Sequence, residues 1–549
     1  MRGGRGPGIQ MTSLPGNKEP GVAPGVGTSQ PGRWLECAGI AGCMLLLTGG
    51  PVPGVNEAHY LSQARHYWDS TWCEGDFFLQ SPDAHHVFFW VVGWLTTWLS
   101  LPAVAWVGRV AAALVFSFGL ARLCWSFDRR PGGAILFATL YVSLVTWTQM
   151  AGEWVVGGVE AKVFAYGFLF CGLAEMARGR WRRVWLWTGS AAAFHVLVGG
   201  WATLAALGTW MASRDRLPLR QMWPWLMAGG VLSLAGLLPA LVLVQGVKSD
   251  VTAAAHMIYV YERLSHHLLP SSFEIVLVMR HVVTVLVVGA LVVGLRAWTC
   301  GRVRRLCMFA GGAVLIALAG GLVDLLLARG ELEAGILRFY WFRLSDAVVP
   351  LLAALLLLQL AEKLRESSRT MPRVVLGACL LGVLAHAGWT LQQRVGDRRP
   401  DADRLTLPGN RDTAEQRDEI YRQWRQTCRW IRENTHPDAI FLTPRMQQTF
   451  KWYAERGEVV NWKNVPQGAG ALVEWWQRVS ELIPGREQGF YSMELDQLVE
   501  AMRRYNVEYV VTAHGSRFRP RGLAGPLERV YPSKGGADNR FEVYRLETR

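Results

Sequence analysis

Apolar runs long enough to cross a membrane recur along this 549-residue chain, separated by polar connections. A helix needs about 20 apolar residues to cross the hydrocarbon core of a bilayer. The runs predict spans at 34–50, 103–123, 132–151, 161–177, 222–245, 275–297, 306–327, 343–361 and 374–392. A longer stretch, 184–212, carries His195 and Gly199-Gly200 near its middle, so we expect it to break into two half-helices. The pattern predicts a mainly α, polytopic membrane protein of about eleven spans.

Lysine and arginine in the short connections give the orientation, because these residues stay on the cytoplasmic side during insertion. They cluster in alternate connections, at Arg122/Arg129/Arg130, Arg178/Arg180/Arg182/Arg183, Arg214/Arg216/Arg220, Arg296/Arg302/Arg304/Arg305 and Lys363/Arg365/Arg369/Arg373. The connections 51–102, 151–160, 246–274 and 328–342 are poor in these residues and hold most acids and histidines, so we expect them outside. The N-terminus is then cytoplasmic, the residues after 393 are extracytoplasmic, and 87–99 is a juxtamembrane segment that does not cross.

Composition agrees with a membrane protein. Apolar residues make up 51% of the chain and the mean hydropathy is +0.16. The formal charge of +14 comes largely from the arginines of the inner connections, so it requires no nucleic-acid partner.

The chain divides into four predicted parts. Residues 1–32 are rich in Gly and Pro and are expected to be a disordered cytoplasmic N-terminus. Residues 33–393 form the membrane domain, with a first outer loop at 51–102, and 394–410 form a linker. A cleavable signal at 34–50 is the alternative to a first span, but no small-residue cleavage pattern follows it.

Residues 411–549 are expected to form a small extracytoplasmic α/β domain. Trp424, Cys428 and Ile431 recur at helical spacing, and short apolar runs predict strands. These strands are predicted at 439–443, 459–462, 507–512 and 540–546, most simply in a parallel-type sheet covered by helices. No phosphate-binding glycine pattern follows the first strand, which argues against a nucleotide site.

Of the nine cysteines, only Cys73 and Cys428 fall in outward segments. A disulfide between them and two unpaired buried thiols both remain open. No cysteine spacing is typical of a zinc site.

The first outer loop begins with Asn56, a plausible helix N-cap, followed by an aromatic and apolar stripe at helical spacing. The stripe consists of Tyr60, Leu61, Ala64, Tyr67 and Trp68. Such a helix is expected to lie flat in the membrane interface. Glu57 stands at its positive end, where a carboxylate can act as general base or serve only as a helix-terminal acid.

This layout resembles the GT-C superfamily of membrane glycosyltransferases, such as protein mannosyltransferases and aminoarabinose transferases. The resemblance rests on the acidic motif at Glu57 directly after the first span and on the segment from Arg109 to Trp154, in which Val-Thr-Trp-Thr-Gln precedes an outer acid. It implies a polyprenyl-phosphate sugar as donor. The family usually has an aspartate, often paired with another acid, where this chain has Asn56-Glu57, so a non-catalytic relative is an alternative.

A second outer acid in GT-C enzymes commonly assists the base or a metal, which makes Glu153 or Glu160 the further catalytic candidate by resemblance. Glu160 and Lys162 can equally form a buried ion pair. Lys162 and Asp76 are also candidates for binding substrate.

Several arginines and histidines in the outward connections are candidates for binding the phosphate and the sugar of a lipid-linked donor. Arg338 or Arg343 is the candidate phosphate clamp, because arginine binds phosphate with two parallel hydrogen bonds. Arg343 can alternatively pair with Asp346, three residues on. Adjacent His266 and His267 point in different directions on a helix, which favours hydrogen bonds to sugar or phosphate over a metal site. Arg280 completes the set of substrate-binding candidates.

The sequence therefore predicts transfer of a sugar from a polyprenyl-phosphate donor to a glycan, lipid or protein acceptor on the outer face, in one inverting displacement with Glu57 as base. A lipid phosphate is already a competent leaving group, so a divalent metal can assist but is not required. No metal ligands are assigned. The alternative is a transporter or flippase of a lipid-linked or polar solute, which needs polar groups reachable from both faces.

Overall fold

The computed structural model describes residues 30–152, 154–407, 412–484, 493–513, 526–533 and 539–547. The predicted disordered N-terminus lies almost wholly outside the described residues, and so does Glu153.

In the first part of the membrane domain, two short helices follow the first apolar helix, and the helices after them are again apolar. The helices are α1 Gln30–Thr48, α2 Glu57–Trp68, α3 His86–Val91, α4 Leu101–Cys124, α5 Gly133–Thr148, α6 Ala161–Ala177, α7 Trp181–Phe194 and α8 Val196–Ala212. The segment 87–99 holds only α3 and a 3-10 turn, Gly93–Thr97, and is too short to cross, as predicted. The predicted break in 184–212 is confirmed, because His195 has an extended backbone between α7 and α8.

Gly199 allows α7 and α8 to fold closely against each other after that break. A Cβ atom at Gly199 would lie 2.2 Å from the backbone nitrogen of Ala192. Gly189 of α7 and Gly229 of the helix Leu219–Val242 permit an equally close approach of these two helices. A Cβ on Gly189 would lie 2.2 Å from the carbonyl oxygen of Gly229.

The second part of the membrane domain again contains both long apolar helices and short ones. Its helices are α9 Leu219–Val242, α10 Ser249–Met257, α11 Ser265–Leu268, α12 Ile275–Gly294, α13 Gly301–Leu326, α14 Glu331–Leu337, α15 Arg343–Leu364 and α16 Met371–Gly396. A π-helical turn, Ile258–Arg263, joins α10 to α11. Among the described residues, six helices are long and apolar enough to cross a membrane, namely α4, α9, α12, α13, α15 and α16. Most of α15 is buried, whereas α9, α12 and α16 leave most of their apolar side chains exposed, as lipid-facing helices do.

The C-terminal part forms a five-stranded mixed sheet covered by helices. Its elements are α17 Asp401–Thr406, α18 Ala414–Asn434, β1 Ile440–Leu442, α19 Phe450–Ala454, β2 Gly457–Glu458, α20 Ala469–Leu482, α21 Leu495–Arg504, β3 Tyr509–Ala513, β4 Leu527–Tyr531 and β5 Phe541–Leu546. The strand order is β2-β1-β3-β5-β4. Thr413 and Gln416 form a capping box at the start of α18. The helix α17 falls within the stretch predicted as a linker.

The prediction of a parallel-type sheet is correct for β1, β2 and β3 and wrong for the rest. β5 runs antiparallel to both β3 and β4. The strand β4 was not predicted, because it is an edge strand whose Glu528 and Arg529 are exposed and it shows little apolar alternation.

Cys73 and Cys428 are free, buried thiols. The structure therefore contains the unpaired alternative, not a disulfide between the outer loop and the C-terminal part.

Candidate functional site

Glu57 is a buried ion-pair partner at the start of α2. Its Oε1 lies 2.6 Å from Nε of Arg109 and its Oε2 lies 2.7 Å from Nη2 of the same guanidinium. The backbone amides of Gly54 and Val159 donate two further hydrogen bonds, at 2.6 and 2.9 Å. A carboxylate has about four lone-pair sites, so these donors occupy most of its capacity. The role of general base stays a prediction, and this geometry favours a structural role instead.

The loop before α6 is shaped around Glu57. Gly158 has a φ of +75°, and a Cβ there would lie 3.3 Å from Oε1 of Glu57. Both the left-handed backbone and this contact disfavour a larger residue. Glu57 thus joins α2, α4 and this loop.

Asn56 occupies the N-cap position of α2, but its side chain forms no capping hydrogen bond, contrary to expectation. Its Nδ2 instead donates to Oε1 of Glu160 at 3.0 Å. The other oxygen of Glu160 lies 3.3 Å from Nζ of Lys162, so the ion pair weighed in the sequence analysis is present. Glu160 is 1% and Lys162 6% exposed.

Asp76 is not placed as a substrate-binding residue would be, because it is completely buried against the C-terminal part. Its Oδ2 lies 3.0 Å from Nζ of Lys451 and accepts a hydrogen bond from the amide of Glu458 at 2.8 Å. Glu458 also pairs with Lys451, at 2.5 Å. This buried triad attaches the first outer loop to the sheet. The substrate-binding role of Asp76 stays a prediction, and this geometry favours a structural role instead.

A different group of side chains converges at the predicted outer end of the bundle. We call Asp83, His85, His195, Tyr340 and Arg343 the polar cluster. Nη1 of Arg343 donates to Nε2 of His195 at 3.1 Å, and its guanidinium stacks 3.9 Å from the centre of the Tyr340 ring. The rings of His195 and His85 are 5.9 Å apart. The cluster thus unites the first outer loop, the α7–α8 break and the start of α15.

Within the polar cluster, Asp83 and His85 form a hydrogen-bonded pair. Nδ1 of His85 lies 2.9 Å from Oδ1 of Asp83, and Gln467 donates from Nε2 to Oδ2 of Asp83 at 2.9 Å. Burial alone raises the pKa of Asp83, but the charge and hydrogen bonds of His85 outweigh it and hold this pKa below its ordinary value. When Nδ1 of His85 carries the ring proton and donates a hydrogen bond to Asp83, Nε2 carries no proton and can accept one from a substrate. This nitrogen lies 3.4 Å from the Tyr60 hydroxyl.

Arg263, in the turn between α10 and α11, and Lys463, in the C-terminal part, add positive charge beside the polar cluster. Arg263 stacks on Trp462 and donates from Nε to its carbonyl oxygen at 3.1 Å. Burial lowers the pKa of Arg263, and the nearby phenols of Tyr340 and Tyr259 partly offset this effect. Burial, together with the charge of Arg263, lowers the pKa of Lys463 to about 8.

The remaining predicted residues make other contacts. Arg338 contacts Nε2 of His256 and stacks on Phe339. The rings of His266 and His267 are 4.0 Å apart, and Nδ1 of His267 lies 2.6 Å from the carbonyl oxygen of Ala151. Asp346 accepts hydrogen bonds from the amides of Met150 and Ala151. Arg280 is exposed and stacks on Trp147.

No function was predicted for Asp83, His85 or His195 from the sequence. The spacing Asp83-Ala84-His85 and a histidine in the middle of the apolar run 184–212 were the available signals, because an ionisable residue within an apolar stretch is often functional. Among the described residues, no three His, Cys, Asp or Glu side chains are grouped as a metal site requires.

Comparison with known proteins gives the fold. ArnT from Cupriavidus metallidurans, solved bound to undecaprenyl phosphate, is similar with a TM-score of 0.52 and 14% identity, over 94% of this chain and 98% of that chain. An oligosaccharyltransferase from Archaeoglobus fulgidus, in its apo form, is similar with a TM-score of 0.45 and 10% identity, over 88% of this chain and 69% of that chain.

Comparison of the sequence with protein families and with curated proteins finds one partial match. Residues 422–482, within the C-terminal part, match the family described as a domain of unknown function, DUF6798. No curated protein matches the chain. The structural likeness to ArnT, together with the apolar helices, identifies this chain as a multi-pass membrane protein with an ArnT-like fold.

Proposed function

We propose that this protein is an integral-membrane glycosyltransferase that moves a sugar from a polyprenyl-phosphate donor to an acceptor on the outer face of the membrane. Two observations support the proposal. The fold resembles, over 94% of the chain, an enzyme that binds undecaprenyl phosphate. The observation that carries it is the polar cluster, in which Arg343, His195 and His85 come together at one end of the bundle.

The orientation follows from the charges at the two ends of the bundle. The arginine-rich connections lie at the end opposite the polar cluster, which makes that end cytoplasmic by the positive-inside rule. The polar cluster and the C-terminal part then face outward, and the N-terminus lies inside. A lipid-linked donor in the outer leaflet would reach the polar cluster from the side of the bundle.

Arg343 is our candidate for the donor's phosphate. The residue is 7% exposed, and Tyr340 and His195 hold its guanidinium in place. Arginine binds phosphate oxygens through a fixed fork of N–H groups and tolerates desolvation better than lysine. The nearby Arg263 would add to the positive potential that stabilises the departing phosphate.

His85 is our candidate general base, with Asp83 as its positioning residue. In the proposed step, Nε2 of His85 takes the proton from the acceptor hydroxyl while that oxygen bonds to the anomeric carbon. The bond between the anomeric carbon and the phosphate oxygen breaks, and the polyprenyl phosphate leaves with the electron pair. Attack opposite the leaving group inverts the anomeric centre. Glu57 is the competing candidate from the sequence, and Glu153 and Glu160 remain candidates to assist.

Membranes carrying the overproduced protein, incubated with a donor labelled in its sugar, test the proposal. We expect label to leave the polyprenyl phosphate, and His85→Gln to slow this release about 100-fold or more, as loss of a general base does. His86→Gln is the matched control, since His86 is adjacent but packs among Tyr67, Phe89 and Trp90.

Four other results would change the proposal. Full activity of His85→Gln would remove the base assignment, and loss of activity in a well-folded Glu57→Gln variant would return that role to Glu57. Binding of the donor without release would indicate a carrier or a non-catalytic relative. Absence of donor binding would contradict the glycosyltransferase function and favour a transporter.

A further inference from the structure

A second polar hollow lies at the arginine-rich end of the bundle, where α1 and α7 begin and α4 and α6 end. Its volume is about 380 Å³, and five arginines line it. They are Arg33, Arg122, Arg129, Arg178 and Arg180. We call it the basic hollow. It takes no part in the function proposed above, because the polar cluster lies at the opposite end of the bundle.

One buried acid accounts for only part of this charge. Glu175 is 0% exposed at the side of the basic hollow and pairs with Arg122, with Arg178 at 3.4 Å and with Arg180 at 3.7 Å. Within the part of the chain that the structure describes, no carboxylate pairs with Arg33 or Arg129. Glu36 is a second buried acid at its edge, where it accepts a hydrogen bond from Nε1 of Trp125. The five arginines of the hollow still outnumber these two acids. Nε of Arg33 and Nε of Arg122 are buried without a hydrogen-bond partner among the described atoms.

Aromatic side chains form the other wall and place the hollow at the membrane surface. The guanidinium of Arg33 lies 5.5 Å from the centre of the Trp125 ring, and that of Arg122 lies 5.4 Å from that of Phe118. Trp34 and Leu35 are 66% and 72% exposed beside them. Exposed tryptophan next to arginine at the end of a membrane helix is typical of the level of the lipid headgroups.

We propose that the basic hollow binds the phosphate of an anionic membrane phospholipid. The excess arginines attract the phosphate and can donate charge-assisted hydrogen bonds to it. The aromatic rings that stack on these guanidinium groups stabilise their charge through cation–π interactions. The acyl chains would lie along the exposed apolar surface of α1. Basic pockets between membrane helices on the cytoplasmic side bind anionic headgroups for these reasons. A soluble phosphate would use the arginines but would gain nothing from the neighbouring Trp34 and Leu35.

Lipid binding to the purified, delipidated full-length protein tests the proposal, measured by native mass spectrometry. We expect phosphatidylglycerol to bind at least tenfold more tightly than phosphatidylcholine. The double variant Arg33→Gln/Arg129→Gln should lose roughly tenfold in phosphatidylglycerol affinity. Neither arginine pairs with Glu175, so the variant should keep the melting temperature of the parent protein.

The matched control is Arg182→Gln/Arg304→Gln, which removes the same charge at the same end of the bundle but outside the basic hollow. Equal loss of affinity in both double variants would indicate a general surface-charge effect and overturn the proposal. Inorganic phosphate at millimolar concentration should not displace the lipid. Displacement by free phosphate would show that the hollow binds a soluble anion instead.

Discussion

Arg109 of α4 donates two hydrogen bonds to the carboxylate of Glu57 at the start of α2, at 2.6 and 2.7 Å, with both side chains at most 3% exposed. This paired geometry fixes the first outer loop to the membrane bundle. Removing one member of a buried pair leaves the other charge without compensation, which costs about 3 to 5 kcal/mol.

Replacing either member should therefore affect folding before it affects chemistry. We expect Glu57→Gln and Arg109→Gln each to lower the melting temperature clearly, and the double variant to cost less than the sum of the two. Fluorescence-detected melting of the detergent-solubilised variants measures this coupling. If Glu57→Gln instead melts like the parent protein and only its activity is lost, Glu57 is the catalytic base and its pairing with Arg109 is not required for folding.

Arg343→Gln should weaken binding of a polyprenyl phosphate about 10-fold to 100-fold, because charge-assisted hydrogen bonds contribute about 1.5 to 3 kcal/mol each. Arg343→Lys should recover only part of this affinity, since lysine cannot offer the same fork of donors. Arg329→Gln, an exposed arginine in the connection 328–342, is the charge-matched control. Isothermal titration of the lipid phosphate measures all three, and unchanged binding in Arg343→Gln would place the phosphate elsewhere.

The extent to which sequence predicts this molecule depends on the range of each interaction. The apolar runs, which predicted about eleven spans, include the six described helices that are long and apolar enough to cross, because length and hydropathy are local properties. His195 similarly marked the break between α7 and α8. The contact between Arg343 and His195 joins residues 148 positions apart, and no local pattern specifies it. Asp76 looked like a free outer acid because Lys451 and Glu458, its partners, belong to a part of the chain far away in sequence.

The triad of Asp76, Lys451 and Glu458 gives a second stability prediction. Lys451→Met should destabilise the protein by about 3 to 5 kcal/mol, because two buried carboxylates lose their cation. Burial already raises the pKa of Glu458, although Lys451 opposes this effect, so loss of Lys451 should raise it further. Protonation of Glu458 then relieves part of the defect at low pH.

We therefore expect the difference in melting temperature between Lys451→Met and the parent protein to shrink as the pH falls from about 8 to about 5. Adding Glu458→Gln to Lys451→Met should restore part of the stability at the upper end of this range. A difference that is constant across the range would show that the carboxylates are not the source of the defect.

Asp403 of α17 predicts a pH dependence of stability with a defined sign. It is fully buried, and burial raises its pKa to about 6 from an ordinary value of 3.8, although Tyr453 and Thr449 donate hydrogen bonds to it. The folded state therefore holds this proton more tightly than the unfolded state. Its contribution to the free energy of unfolding is complete below about pH 4 and is lost as the pH rises through about 6, a change of about 3 kcal/mol.

Chemical unfolding followed by tryptophan fluorescence should show this decrease in the parent protein, and Asp403→Asn should remove it because an amide does not titrate. Asp438→Asn, at an exposed position, should keep the decrease, and an unaltered pH profile in Asp403→Asn would assign it to another group.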